Sequence, residues 1–222
     1  RSKQAFALGV PLLTPEKSTN ISLGLGFNPT KNLNITVDFY SITIKDRIVY
    51  SSSISSNDPS SQLYQILQQA GVASIQFFIN GLKTRNAGID LVANYKNINL
   101  GSGKLGVNLA GNFTLNNEIV GTPNDPAAIK AAGSTILSTQ IKSLLIEGRP
   151  RHKVVLGFDY SWKKFGVSLN NTMFGSTKFQ DLDNGGSQMN YIKQVFKTAV
   201  VTDLNLGYRF TEKIAFNIGI NN

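Results

Sequence analysis

Apolar residues occupy every second position in eight segments of this chain, a pattern typical of β-strands with one apolar and one polar face. In the first segment Leu23 and Leu25 alternate with Gly24 and Gly26. The segments span residues 21–27, 33–44, about 74–96 (with an interruption near Asn80-Gly81), 105–116, 154–160, 165–173, 200–210 and 214–220. In the second segment the apolar parity switches at Tyr40, Ile42 and Ile44, which predicts a β-bulge there.

The connections between these segments alternate between short and long. The short ones are Asn28–Asn32, Asn97–Gly103, Trp162–Lys164 and Thr211–Glu212. The long ones are roughly Tyr50–Ala73, Val120–Lys142 and Asp181–Val195. A soluble sandwich has no reason to collect its long loops at one end, whereas outer-membrane sheets have tight periplasmic turns and long extracellular loops. The alternation therefore predicts an antiparallel transmembrane sheet.

The polar face favours the same interpretation. It consists mainly of Asn, Gly, Ser and Thr, with a few charges such as Asp38, Asp90, Asp159, Asp203 and Arg209. Charged residues make up 16% of the chain, against about 25% in a typical soluble domain. No apolar run is long enough for a transmembrane helix, which needs about 18 residues. These features suit strands with one face toward lipid and one toward a hydrated lumen.

Aromatic residues flank the predicted turns, as expected for girdles at a membrane interface. Phe113 and Phe174 lie further along their strands, where the opposite interface is expected. The predicted girdle residues are Phe27, Tyr95, Phe113, Tyr160, Trp162, Phe165, Tyr208 and Phe210.

Two of the long loops carry signals for short helices. Asp58-Pro59, followed by Leu63, Ile66, Leu67 and Gly71, predicts a helix with Asp58 as N-cap and a closing glycine. The segment from Asp125-Pro126 to Gly133 repeats the pattern.

No constellation of residues indicates catalysis or a bound cofactor. The only histidine, His152, stands among Arg149, Arg151 and Lys153 without a nucleophile motif nearby. One histidine, no cysteine and scattered carboxylates give no metal-ligand spacing. The net charge of +9 comes from scattered Lys and Arg residues, so nucleic acid is not an expected partner. We expect no enzymatic activity.

The chain resembles the C-terminal part of the β-barrel of TonB-dependent outer-membrane receptors, especially those of Bacteroidota. The resemblance lies in the order and spacing of several short motifs over almost the whole chain. They are Pro15–Asn20, Asp38–Ile48, Gln76–Asn80, Thr84–Leu91, Arg149–Lys153 and the closing Gly219–Asn222.

This resemblance implies a 22-stranded barrel of which residues 1–222 supply about eight strands, without the plug domain and the last strand. It also implies an importer of a scarce ligand, such as a siderophore, cobalamin, glycan or peptide, in the outer membrane of a Gram-negative bacterium. The partners would be membrane lipid, TonB acting through the plug, and the ligand at the three long loops. The alternatives are a passive porin, a closed eight-stranded barrel, and an outer-membrane hydrolase dependent on His152.

Overall fold

The computed structural model describes residues 3–182 and 191–222, and most of them form one open antiparallel sheet. Its eight strands follow the order β1-β2-β3-β4-β5-β6-β9-β10. They are β1 (Lys17–Thr30), β2 (Leu33–Tyr50), β3 (Phe78–Leu100), β4 (Gly103–Ile119), β5 (His152–Trp162), β6 (Phe165–Phe174), β9 (Ala199–Arg209) and β10 (Ala215–Ile220). A separate hairpin joins β7 (Thr177–Leu182) to β8 (Tyr191–Phe196). The helices are α1 (Lys3–Ala7), α2 (Gln62–Gln69), α3 (Ala127–Ala131) and α4 (Thr139–Ile146).

The register keeps apolar residues on one face of the sheet from strand to strand. Residues directly opposite each other in an antiparallel pair share a face. One row of paired residues runs through Tyr95, Val107, Phe158, Leu169, Leu204 and Ile220. The neighbouring row on the other face runs through Asn34, Asn94, Asn108, Gly157, Asn170 and Asp203. The predicted division into an apolar and a polar face is therefore confirmed along these two rows.

The short connections all lie at one end of the sheet. Only Lys31-Asn32, Gly101-Ser102 and Lys163-Lys164 separate three of the strand pairs. Gly101 and Lys163 have positive φ angles of 60° and 50°, as tight reversals often require. The long connections lie at the opposite end.

The buried apolar core lies at the long-loop end and not between two sheets. It combines α1, α2, α3 and loop residues with the ends of β2 and β3. Its members among the described residues are Ala5, Leu8, Val10, Val49, Ile54, Leu63, Leu67, Phe77, Ile79, Leu82, Ala128, Ile129 and Ile136. We call this group the loop core. The first two long loops are thus a packed unit.

The first predicted loop helix exists, but its predicted start is wrong. α2 begins at Gln62, and Ser61 is its N-cap, accepting a hydrogen bond from the Tyr64 amide. Asp58 instead accepts hydrogen bonds from the hydroxyl and the amide of Ser60. These two bonds hold the pKa of Asp58 below its ordinary value, and the bond from the hydroxyl has the larger effect. Its carboxylate is therefore engaged before the helix begins.

The second helix signal also placed its cap wrongly. Asp125 accepts hydrogen bonds from the Ile136 amide (2.7 Å) and the Thr135 hydroxyl (3.1 Å), so it closes the loop instead of capping α3. The N-cap position is Pro126, which provides no side-chain hydrogen bond. The closing glycines Gly71 and Gly133 have positive φ angles of 67° and 68°, as a helix C-terminus favours.

The β2–β3 pair corrects two further predictions. Pairing is regular from Ile35 to Ile44, and the irregularity falls between Ile44 and Ile48, beyond the predicted bulge. Tyr40, Ile42 and Ile44 are therefore apolar or aromatic residues on the polar face, facing Gly88, Asn86 and Thr84 across the ladder. The expected interruption of the third segment at Asn80-Gly81 is a change of register within a continuous strand.

The third long loop contains the β7–β8 hairpin, which the sequence did not predict. Residues 183–190 of the predicted loop Asp181–Val195 lie outside the described residues.

Candidate functional site

The apolar face of the sheet is exposed along its whole width. Leu23 and Leu25 on edge strand β1 are 67% and 66% exposed, and Phe39 and Leu156 inside the sheet are still 39% and 36% exposed. Soluble monomers rarely expose continuous apolar patches larger than a few hundred Å². Among the described residues, no second layer of protein packs on this face, because the loop core is confined to one end. Such a face requires an apolar environment.

Aromatic rings cluster where this face meets the short turns. The centroids of Trp162 and Phe165 are 6.0 Å apart, those of Phe165 and Tyr208 are 4.7 Å apart, and those of Tyr208 and Phe210 are 4.7 Å apart. Lys163 places its ammonium 5.0 Å from the Trp162 ring. The structure thus brings together four predicted girdle residues. The other four lie on separate strands: Phe27 on β1, Tyr95 on β3, Phe113 on β4 and Tyr160 on β5.

The polar face carries side-chain hydrogen bonds between neighbouring strands. Asn112 donates to the Asp90 carboxylate at 2.7 Å and to the Tyr40 hydroxyl at 3.2 Å. Asp159 accepts from Asn108 at 2.7 Å and from Ser168 at 2.6 Å. These bonds tie strands together across a surface that nevertheless remains accessible to water, as a hydrated lumen requires.

The four acidic residues of the polar face lie on four different strands. Asp38 and Asp90 lie directly opposite each other on β2 and β3, and Asp159 lies on β5. Asp203 lies opposite Asn170. They line the polar face on separate strands, as expected.

Helix α4 lies over the long-loop end of the polar face. Ser138 caps it by accepting from the Ile141 amide. At its other end the Asn117 amide donates to the carbonyls of Leu145 and Ile146, at 3.2 and 3.1 Å. Ser143, which is buried, accepts from the Gln180 amide of β7 at 2.9 Å. The helix is therefore attached both to the sheet wall and to the β7–β8 hairpin.

Two adjoining cavities lie beside α4. The cavity between α4 and the polar face measures about 480 Å³, and the one between α4 and the loop core measures about 690 Å³. They share Arg47, Leu144 and Leu145. We call them together the α4 cavities. Their sizes match pockets for small molecules.

Three arginines line the cavity between α4 and the polar face, and the sequence analysis did not identify them as a group. Arg47 comes from the end of β2, while Arg149 and Arg151 directly precede β5. The Arg47 guanidinium donates to the Thr84 hydroxyl at 3.0 Å. The motif Arg149–Lys153 already showed that Arg149 and Arg151 lie close together, but nothing in the sequence indicated that Arg47 lies near them.

The whole chain matches a known family. A family model described as TonB-dependent receptor-like β-barrel matches residues 2–222. The chain belongs to the TonB-dependent receptor β-barrel family. No curated protein sequence is significantly similar to it.

Solved receptor structures share the fold of this barrel segment. The outer membrane transporter YddB of Escherichia coli superposes with a TM-score of 0.64 at 13% identity, over 95% of this chain and 29% of that one. The siderophore receptor PirA of Acinetobacter baumannii gives 0.60 at 17% identity, over 94% and 28%. The ferripyoverdine receptor of Pseudomonas aeruginosa, bound to ferripyoverdine, gives 0.56 at 14% identity, over 96% and 24%. The chain spans less than a third of each.

Family membership determines the location of this TonB-dependent receptor segment. Proteins of the family stand in the outer membrane of Gram-negative bacteria, and so does this chain. Among the described residues, no helix is both long and apolar enough to cross a membrane.

His152 is placed as a residue at the start of strand β5. His152 lies opposite Phe113 on the apolar side of the ladder, and its carbonyl accepts from the Gly175 amide at 2.9 Å. No Ser or Thr hydroxyl bonds its imidazole within residues 3–182 and 191–222. Over the same residues no group of three or more His, Cys, Asp or Glu side chains could hold a metal ion.

Proposed function

We propose that this receptor segment is part of an active importer, which binds a scarce ligand at its long loops and releases it inward under TonB control. The observation that carries this proposal is the position of the α4 cavities, where the long loops meet the polar face. Family membership and the siderophore receptors among the structural relatives support it. The ligand class, drawn from siderophores, cobalamin, glycans and peptides, belongs to the proposal.

The full barrel is proposed to have 22 strands, of which this chain contributes the eight of its main sheet. β1 and β10 each have one unpaired edge in that sheet. Unpaired backbone groups in hydrocarbon cost several kcal/mol each, so both edges require neighbouring strands. The plug through which TonB acts is proposed to occupy the space in front of the polar face.

The eight aromatic residues are proposed as interfacial girdle residues. The cluster from Trp162 to Phe210 supports the periplasmic girdle, because it lies at the short-turn end. Phe113, opposite His152 near the other end of β4 and β5, supports the outer one. The likeness of the motifs to receptors of Bacteroidota remains a proposal about the source.

The experiment that tests this function uses the full-length protein that contains this chain, purified in detergent. The importer account predicts that the periplasmic domain of TonB is retained on the immobilised receptor. It also predicts that liposomes containing the receptor do not swell in solutions of small neutral sugars, because the lumen is closed. Retention of no TonB together with rapid swelling would instead indicate a passive porin.

A further inference from the structure

The α4 cavities concentrate positive charge without a balancing carboxylate. Arg47 lines both cavities, Arg149 and Arg151 line the cavity against the polar face, and no Asp or Glu is among the lining residues. The ion pairs in the described part of the chain are Lys17–Asp46 and Arg85–Glu118, and neither involves these arginines. The three arginines therefore have no carboxylate partner within the residues that line the cavities.

The other polar groups of the cavity wall are mostly engaged within the protein. The Asn112 amide donates to Asp90 and Tyr40, and the Asn117 amide donates to the end of α4. The Arg47 guanidinium has five N–H donors, and it makes one hydrogen bond, to the neutral Thr84 hydroxyl. Arg149 and Arg151 are exposed residues in the lining of the cavity against the polar face. The arginines are therefore the charged groups of the wall with spare donors.

Guanidinium groups match oxyanions in charge and shape. Their planar fork bonds a carboxylate or phosphate through two parallel N–H···O bonds, and such bonds are roughly twice as strong as neutral ones. Three like charges around one space also repel each other, and a bound polyanion removes that repulsion. Apolar side chains of α4, Ile141, Leu144 and Leu145, complete the lining and suit the uncharged part of a ligand.

We propose that the α4 cavities bind a ligand with at least two anionic oxygen groups, carboxylate or phosphate, through Arg47, Arg149 and Arg151. This inference rests on the proposed function, since it names the class of ligand taken at the long-loop end. A free organic acid and a phosphorylated compound share this chemistry. Two probes separate them: citrate for carboxylates and inorganic pyrophosphate for phosphates.

The test is calorimetric titration of both probes into the full-length receptor at low salt. Replacing the three arginines by glutamine (Arg47→Gln, Arg149→Gln, Arg151→Gln) is expected to weaken binding of the preferred probe at least tenfold. The matched control removes the same charge at the short-turn end, by Lys31→Gln, Lys96→Gln and Lys213→Gln, and should bind like the native protein. A triple Arg→Lys variant, which keeps the charge but loses the fork, should fall between them.

Several results would overturn the inference. One is a native receptor that binds neither probe at millimolar concentration. Another is a Gln triple variant that binds as tightly as the control, although its heat-dependent gel shift shows that it is folded. The proposed function fails separately: loss of TonB retention with intact arginine-dependent binding would reject the importer and leave the anion site standing. TonB retention together with binding that does not depend on the arginines would reject the anion site and leave the importer standing.

Discussion

At the scale of single residues, glycines on the polar face make room for large partners on neighbouring strands. The directly opposed pairs are Gly24 with Asp38, Gly88 with Tyr40 and Gly157 with Asn170. A Cβ atom at any of these glycines would collide with the partner's side chain. The alternation in the sequence predicted which face these glycines occupy. It could not predict the close approach, because that depends on the register between strands.

Gly88 gives the clearest prediction at this scale. A Cβ there would lie 2.7 Å from the Phe113 carbonyl oxygen, which belongs to the backbone, and against the Tyr40 ring. Because the backbone cannot move aside freely, Gly88→Ala should destabilise the folded receptor by about 1–3 kcal/mol. Urea unfolding of the full-length receptor in micelles, monitored by the heat-dependent gel shift, measures this loss of stability.

The matched control is Gly166→Ala, which is also on the polar face but has nothing within 4 Å of its added Cβ. Its unfolding midpoint should stay close to the native value. Equal midpoints for the two alanine variants would show that the register at Gly88 is wrong.

At the scale of elements, the strands were predictable and the loop helices were only partly so. Period-two alternation follows from strand geometry itself, so it located all eight strands of the main sheet. The residue that caps a helix depends on which of several possible local hydrogen bonds forms. Asp58 accepts a bond from Ser60, so Ser61 is the residue that caps α2. α4 lacks a Pro or Asp signal at its start and was missed, and its position depends on bonds to Asn117 and Gln180, which are distant in sequence.

The loop core should behave as one cooperative unit. Leu67 of α2 is 2% exposed and packs in the same core as Ile129 and Ile136 from the second long loop. Leu67→Ala should therefore cost this unit about 2–5 kcal/mol. Limited proteolysis of the receptor on intact cells should then cut both long loops faster, while the barrel itself stays folded.

The control for this variant is Val72→Ala, just beyond α2, where the side chain is 40% exposed. It should leave the cleavage rates unchanged. If Leu67→Ala accelerated cleavage in the first loop alone, the two loops would not share a core.

At the scale of the whole molecule, the two faces of the sheet were predictable and the proposed binding site was not. Lipid exposure follows from the alternation and from the position of the turns, both of which are local in sequence. The arginine-lined cavities arise from Arg47 and Arg149, about a hundred residues apart, which α4 and the sheet bring together. The strand number of a closed barrel depends on tilt and shear around its full circumference, which eight strands do not determine.

The central claim is that the apolar face contacts lipid and the polar face contacts water, and spin labelling along β4 tests it most directly. Single cysteines can be introduced at residues 105–110 of the full-length receptor in lipid vesicles, since this segment has no cysteine of its own. Labels at Leu105, Val107 and Leu109 should be accessible to oxygen and shielded from a water-soluble nickel chelate, with the reverse at Gly106, Asn108 and Ala110. Labels at the three apolar positions that neither reagent reaches would show a covering layer of protein and contradict this account.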